Sequence, residues 1–214
     1  MNDEIELKGI PFAEVVKAAT GKAILPLNLT NEVDRALLAK ISGALDAVLK
    51  RMNAPDSPAQ KEKRINEVSA HFEKAMKAAL NTVPGFVCDF PKTAAGNVQH
   101  SGYPDLRLVD KTSGRVIYLD PKLYERGSRT SSFRTFYFEP KKETGKILDD
   151  AHHLLVGFEH DGKKGGQWKF LNWELVDLSR FNVRLKAEFQ GSNKDLYRAE
   201  AIVGSSRERL NRDR

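Results

Sequence analysis

The chain has 214 residues, of which 40% are hydrophobic and 30% charged, a composition that suits one globular core and excludes an intrinsically disordered chain. No apolar run approaches the roughly 20 residues of a membrane-spanning helix, and the acidic start MNDEIELKG does not resemble a secretory signal, so we expect a cytoplasmic protein without a membrane partner. The single cysteine, Cys88, excludes an intramolecular disulfide framework and a Cys-rich zinc site, whereas the net charge of +6 is compatible with a polyanionic partner without requiring one.

Residues 1–56 are predicted to form an N-terminal helical extension. Apolar residues recur at helical spacing from Val33 to Leu49, and Thr30 or Asn31 can cap the start of this helix. The apolar stripe is long for so thin a layer, so we expect the helix to be a dimerisation element.

Residues 57–214 are predicted to form a second domain, which begins with a long helix. Ser57 and Gln60 match a Ser-x-x-Gln capping box with Pro58 in the first helical position. The helix is therefore predicted to run from Ser57 to about Asn81. Its apolar face carries Ile65, Val68, Phe72, Met76 and Leu80.

From Gly85 onward the hydrophobic period changes from that of helices to that of strands. Six segments have the pattern of strands, namely 86–88, 105–110, 116–123, 154–158, 168–178 and 183–189. A turn at 111–114 joins the second and third as a hairpin, and Ile147 to His153 is predicted to be a helix. This order indicates a mixed α/β domain behind the helical extension.

The predicted hairpin carries the residues with the clearest chemical potential. One arm begins with Tyr103-Pro104-Asp105 and the other contains Asp120-Pro121-Lys122. Because residues two apart on a strand point to the same face, Asp120 and Lys122 project together, and the hairpin brings Asp105 beside them. Two carboxylates and an ammonium group are therefore expected to converge.

Such a trio has the chemistry that hydrolysis of a phosphodiester needs. Carboxylate oxygens bind Mg²⁺, which neutralises developing negative charge and lowers the pKa of a bound water. The lysine can orient or deprotonate the attacking water, or stabilise the transition state. The alternative interpretation is a surface salt bridge between Asp120 and Lys122, with Asp105 as an ordinary turn residue.

Pro104-Asp105, followed after fourteen residues by Asp120-Pro121-Lys122, resembles the PD-(D/E)XK nuclease superfamily, which includes most type II restriction endonucleases and several repair nucleases. The resemblance covers roughly residues 60–160. It implies a restriction-endonuclease-like core, a mixed central sheet flanked by helices. It also implies that Asp105, Asp120 and the carbonyl of Pro121 hold the metal and that Lys122 serves the water.

Two details of the resemblance stay open. The family often has a helix glutamate at the metal shell, and Glu73, on the flank of the apolar stripe, is favoured over Glu67, which lies opposite the stripe. A solvated helix charge is the alternative for both glutamates. Pro121 departs from an ordinary strand residue because proline cannot donate to a strand ladder, so the strand is expected to bend there.

The segment 122–146, which follows the motif, is predicted to contact DNA. It contains seven lysine and arginine residues against three acidic residues, interleaved with aromatic and hydroxyl side chains that suit phosphate contacts. The alternative is a solvated loop whose aromatic residues pack inward. The predicted DNA contacts are Arg126, Arg129, Ser132, Arg134 and Lys141.

These features predict a magnesium-dependent endonuclease that cuts double-stranded DNA, like a type II restriction endonuclease at a short specific sequence. We expect a homodimer, because one active site cuts one strand. Two alternatives remain: a repair or recombination nuclease of the same fold that recognises DNA structure, and a non-catalytic protein that only binds nucleic acid.

Overall fold

The computed structural model describes residues 6–131, 136–141, 143–186, 192–196 and 198. Residues 9–183 cluster into one compact unit, and the described residues outside this range belong to a second. None of the helices in the described parts of the chain has the length and apolar character that a membrane crossing requires.

The larger unit contains most of the regular structure. The helices are α1 (Phe12–Thr20), α2 (Glu32–Asn53), α3 (Ile65–Asn81) and, in the second unit, the short α4 (Asn193–Leu196). The strands are β1 (Glu6–Pro11), β2 (Phe86–Asp89), β3 (Leu106–Asp110), β4 (Arg115–Glu125), β5 (His152–Lys164), β6 (Gln167–Asp177) and β7 (Asn182–Lys186). Short 3₁₀ helices occupy Pro58–Lys61 and Leu178–Arg180. α1 lies within the predicted helical extension, although it was not predicted as a separate helix, and β1 has no counterpart among the predicted elements.

Five strands form the central sheet in the order β2-β3-β4-β5-β6, whereas β1 and β7 form a separate two-stranded sheet. β4 and β5 are parallel, and the other three neighbouring pairs of the central sheet are antiparallel. Helices pack on this mixed sheet, which confirms the predicted α/β fold with a restriction-endonuclease-like core. β4, which contains the Asp-Pro-Lys motif, is the middle strand.

The helices α2 and α3 cover one face of the sheet with their apolar stripes. Asn31 caps α2, because its side chain accepts hydrogen bonds from the backbone N–H groups of Val33 and Asp34. The stripes pack against β4 through Ile117 and Leu119. Since the stripe of α2 is buried within its own chain, it no longer supports the expectation that α2 joins two subunits. The buried apolar residues of the two helices are Leu37, Ile41, Ala44, Leu45, Val48, Met52, Val68, Phe72, Met76 and Leu80.

A smaller apolar cluster covers the opposite face of the sheet. Phe12 of α1 lies at its centre, with its ring edge-to-face against Tyr103 at 5.6 Å and against Phe136 at 5.1 Å between centroids. Tyr118 of β4 is buried in the same cluster. Phe136 and Phe138, from the basic segment, therefore pack inward beside the chain that leads to Asp105.

The prediction of one helix from Ser57 to Asn81 is wrong. Pro58–Lys61 forms a 3₁₀ helix, and α3 begins only at Ile65, where the Glu67 carboxylate accepts the backbone N–H of Arg64 at 3.1 Å. The side chain of Gln60 does not cap a helix. It donates to the carbonyl of Met52 at 2.8 Å and accepts the backbone N–H of Trp168 at 2.7 Å. Tertiary hydrogen bonds have thus replaced the local capping box.

The prediction of a helix from Ile147 to His153 is also wrong, because this segment is irregular, with a bend at Asp149, and leads directly into β5. Its backbone bonds to other parts of the chain. The Tyr118 hydroxyl accepts the N–H of Leu148 at 2.9 Å, and the N–H of Ala151 donates to the carbonyl of Ala23 at 3.1 Å. Arg107 also holds the Asp149 carboxylate at 2.8 Å. The N–H of Ala151 thus donates outside the segment, where a helix would have paired it within itself.

Candidate active site

The middle strand β4 positions two of the predicted site residues on one face. Ile117 and Leu119 point into the main core, whereas Asp120 and Lys122 lie on the opposite face with Tyr118. β3 pairs with β4 up to the Leu106–Leu119 pair, so the residue before β3, Asp105, lies beside Asp120. Lys122 Nζ lies 2.7 Å from Asp120 Oδ2 and 3.8 Å from Asp105 Oδ2. The structure therefore brings Asp105, Asp120 and Lys122 together.

Pro121 is buried at the point where β4 loses one of its neighbours. β3 ends its pairing at Leu119, whereas the parallel pairing with β5 runs from Ile117 to Glu125 without a shift and joins Pro121 to Val156. A proline fits a strand where a ladder is open on one side. Pro121 therefore does not disturb the register of β4 around Asp120 and Lys122.

The two aspartates are buried next to each other, and their electrostatics call for a cation. Asp120 is 1% exposed, and its Oδ2 lies 2.7 Å from the ammonium group of Lys122, which also lies 3.8 Å from the carboxylate of Asp105. Burial, and then the charge of Asp120, raise the pKa of Asp105 to about 8. Two largely buried carboxylates side by side are the kind of oxygen donors that a hard divalent cation such as Mg²⁺ prefers.

The Lys122 ammonium group stays charged at this site. Burial lowers its pKa, but the charges of Asp120 and Asp105 outweigh burial, so the pKa of Lys122 is raised. Lys122 is therefore a hydrogen-bond donor and a positive charge, which fits stabilisation of a negatively charged reacting group better than removal of a proton.

Glu73 of α3 lies within electrostatic reach of this trio. Burial raises its pKa, Lys122 opposes this and Asp120 adds to it. Glu67, the other candidate, caps the start of α3. In the described parts of the chain no three His, Cys, Asp or Glu side chains gather closely enough to hold one ion directly. Asp105 and Asp120 are therefore the main candidate ligands, and Glu73 lies farther out.

Of the residues predicted to contact DNA, the three that the structure describes lie on the surface. Arg126 is exposed, and Arg129 forms an ion pair with Glu174 at 2.9 Å. Lys141 is also exposed and lies 2.8 Å from Glu139. Such exposed ion pairs contribute little stability, so both cations can exchange partners. Ser132 and Arg134 lie outside the described residues.

Two buried groups beside the trio were not predicted from the sequence. Lys146 is 3% exposed and donates to the carbonyls of Gln99 and Gly102. Tyr103, which precedes the Pro104-Asp105 step, has its hydroxyl 2.7 Å from Nδ1 of His153. Burial lowers the pKa of His153 to about 3, so this ring is neutral. Neither group has a distinctive spacing from the motif. Lys146 appears in the sequence only as the last cation of a basic segment.

Comparison with known proteins identifies the family. The model of the type II restriction enzyme MjaV family matches residues 5–200. A curated relative, the type II restriction enzyme MjaV of Methanocaldococcus jannaschii, is 32% identical over 207 residues, which are 92% of this chain and 89% of the relative. Both findings confirm the predicted resemblance to type II restriction endonucleases. The chain therefore belongs to the type II restriction enzyme MjaV family and is an enzyme of the class that its sequence predicts.

Proposed function

We propose that the chain is a magnesium-dependent endonuclease that hydrolyses phosphodiester bonds of double-stranded DNA at a short specific sequence. The observation that carries the proposal is the cluster of Asp105, Asp120 and Lys122, in which two largely buried carboxylates lie beside one ammonium group. Membership in a restriction enzyme family supports the same reaction. It favours sequence-specific cleavage over recognition of damaged or branched DNA.

Asp105 and Asp120 are the proposed ligands of the magnesium ion. The Pro121 carbonyl and, from farther out, Glu73 would complete its surroundings. When bound, Mg²⁺ supplies positive charge at the phosphate and lowers the pKa of a coordinated water. Asp105, whose pKa is about 8 in the metal-free protein, gives up its proton when it binds a cation.

Lys122 is proposed to act on the reacting groups as a charged donor. Its ammonium group lies between the two aspartates and keeps its proton because of their charges. From this position it can orient the attacking water and donate a hydrogen bond to the phosphate as negative charge develops. The two aspartates hold the ammonium group in place until substrate arrives.

The basic segment after β4 is proposed to contact the DNA backbone. Arg126, Arg129 and Lys141 are exposed, and the two ion pairs that involve them are on the surface, so phosphates can replace their acidic partners. Ser132 and Arg134 remain part of the proposal. The enzyme is proposed to act in the cytoplasm and as a homodimer, since a single site of this kind cuts one strand.

Cleavage of plasmid DNA tests the function. We expect the wild-type protein with Mg²⁺ to yield discrete fragments, and Asp120→Asn, which keeps the shape of the side chain, to yield none. Lys122→Met should also fail to cut but should still bind DNA in Ca²⁺, because both aspartates remain. Calcium should support binding without cutting, since its coordination geometry is looser than that of magnesium. Random degradation, or undiminished cutting by Asp120→Asn, would contradict the proposal.

A further inference from the structure

Lys146 is a buried lysine that the PD-(D/E)XK motif does not include. Lysine side chains are almost never fully buried unless they are paired, because an ammonium group loses its hydration. Lys146 is 3% exposed, and its charged neighbours are Asp105, Asp120 and Glu73, together with Lys122. The carboxylates of the candidate active site thus lie within electrostatic reach of a second ammonium group.

The hydrogen bonds of Lys146 connect it to the backbone that leads to Asp105. Its Nζ donates to the carbonyl of Gln99, at 3.3 Å, and to that of Gly102. Gly102 has a φ of 79°, a left-handed conformation that favours glycine, and lies three residues before Asp105. Lys146 therefore holds both ends of the turn 99–102 immediately upstream of Asp105.

Hydrogen bonds that hold the turn 99–102 do not by themselves require a charged residue at position 146. A neutral amide can donate to two carbonyls without the cost of burying an ammonium group, which is several kcal/mol. Burial lowers the pKa of Lys146, and Asp105, Asp120 and Glu73 oppose this effect. The three carboxylates thus explain why residue 146 is a lysine, and the two carbonyls explain the position of its ammonium group.

We propose that Lys146 is a positioning residue of the active site: by holding the turn 99–102 it sets the place at which Asp105 binds the divalent cation. This inference rests on the proposed function, since it requires a metal at Asp105 and Asp120. Lys146 touches neither the metal nor the DNA in this account. It acts through the backbone that carries Asp105.

Binding of Ca²⁺ without DNA, measured by isothermal titration calorimetry, tests the inference independently of cleavage. Lys146→Met keeps the length of the side chain and removes its donor, and we expect it to weaken Ca²⁺ binding on the order of 10–100-fold, as loss of a supporting partner does at metal sites. Lys146→Arg should restore most of the affinity. Cavities of about 220 and 300 Å³, both lined by Lys146, leave room for the guanidinium group.

Controls separate this inference from the proposed function. Lys50→Met removes an exposed lysine of α2 and should leave Ca²⁺ binding unchanged. Asp120→Asn should abolish binding, and wild-type binding that survives this change would overturn the proposed site. Binding that Asp120→Asn abolishes but Lys146→Met leaves unchanged, or tightens through the loss of a positive charge, would overturn the positioning role alone. If Lys146→Met fails to fold in EDTA, Lys146→Gln serves instead: its amide can still donate to the two carbonyls, so it should keep most of the Ca²⁺ affinity, and a loss as large as that expected for Lys146→Met would overturn the positioning role.

Discussion

Asp105 is the residue whose protonation differs most clearly between the folded and unfolded chain. Its pKa rises from the ordinary 3.8 to about 8, first through burial and then through Asp120. Between these two pH values the folded protein holds a proton that the unfolded chain has lost. The stability that Asp105 contributes is therefore fully present below about pH 4 and is lost as pH rises towards 8.

Thermal unfolding in EDTA checks this pH dependence. We expect the melting temperature of the metal-free protein to carry a component that falls as pH rises from about 5 to about 8. Asp105→Asn, which cannot titrate, should remove this component. A wild-type profile with the same slope as that of Asp105→Asn would mean that Asp105 is ionised throughout the range.

At the scale of residues, the trio of Asp105, Asp120 and Lys122 could be predicted from the sequence, whereas the residues around it could not. The two-residue period of a strand was enough to place Asp120 and Lys122 on one face, and the hairpin turn was enough to bring Asp105 beside them. Lys146 lies 24 residues after Lys122, beyond a long loop, so no local spacing relates the two lysines. The choice of Glu73 over Glu67 depended on their positions relative to an apolar stripe that lies entirely within α3.

At the scale of elements, the wrong predictions have one physical cause. Gln60 and the segment 147–151 carry adequate local signals for helix, but strands distant in sequence take up their hydrogen bonds. Elements with a complete apolar stripe, such as α2, formed as predicted because the helix that their local sequence favours is also the conformation that buries the stripe. Where the two conflict, tertiary contacts decide, and a single sequence does not reveal them.

Tyr118→Phe tests whether this side chain of β4 holds the segment 147–151 in its non-helical conformation. The Tyr118 hydroxyl accepts the backbone N–H groups of Leu148 and Asp149 and donates to the Asp149 carboxylate at 2.7 Å. We expect a loss of about 1–3 kcal/mol in the free energy of unfolding, since buried partners are left unpaired. Denaturation in urea measures this loss, and amide exchange at Leu148 and Asp149 should accelerate.

Tyr124→Phe is the matched control on the same strand. The Tyr124 hydroxyl makes one bond of 3.1 Å to a partly exposed glutamate, Glu174, so its removal should cost less than that of the Tyr118 hydroxyl. Equal losses for the two variants would show that the network around Tyr118 has no special role in the segment.

At the scale of the whole molecule, a site of this kind cuts one strand at a time, so a break in both strands needs either two sites or two successive reactions at one site. Mixed samples of wild-type and Asp120→Asn subunits distinguish a dimer from independent monomers. If the enzyme is a homodimer, mixed dimers carry one active site, so we expect nicked plasmid to accumulate before linear DNA. Independent monomers would only cut more slowly, with the same products as the wild-type protein alone.

The parallel pairing of β4 with β5 has a consequence for folding of the chain during its synthesis. Ile117 pairs with His152 and Lys122 with Gly157, so the motif strand finds this partner only about 35 residues further along the chain. Contacts between residues so far apart in sequence form slowly, because a long stretch must be ordered first. A nascent chain that has left the ribosome only as far as Asp150 carries every motif residue yet lacks the strand that supports them. Catalytic competence therefore arrives late in synthesis.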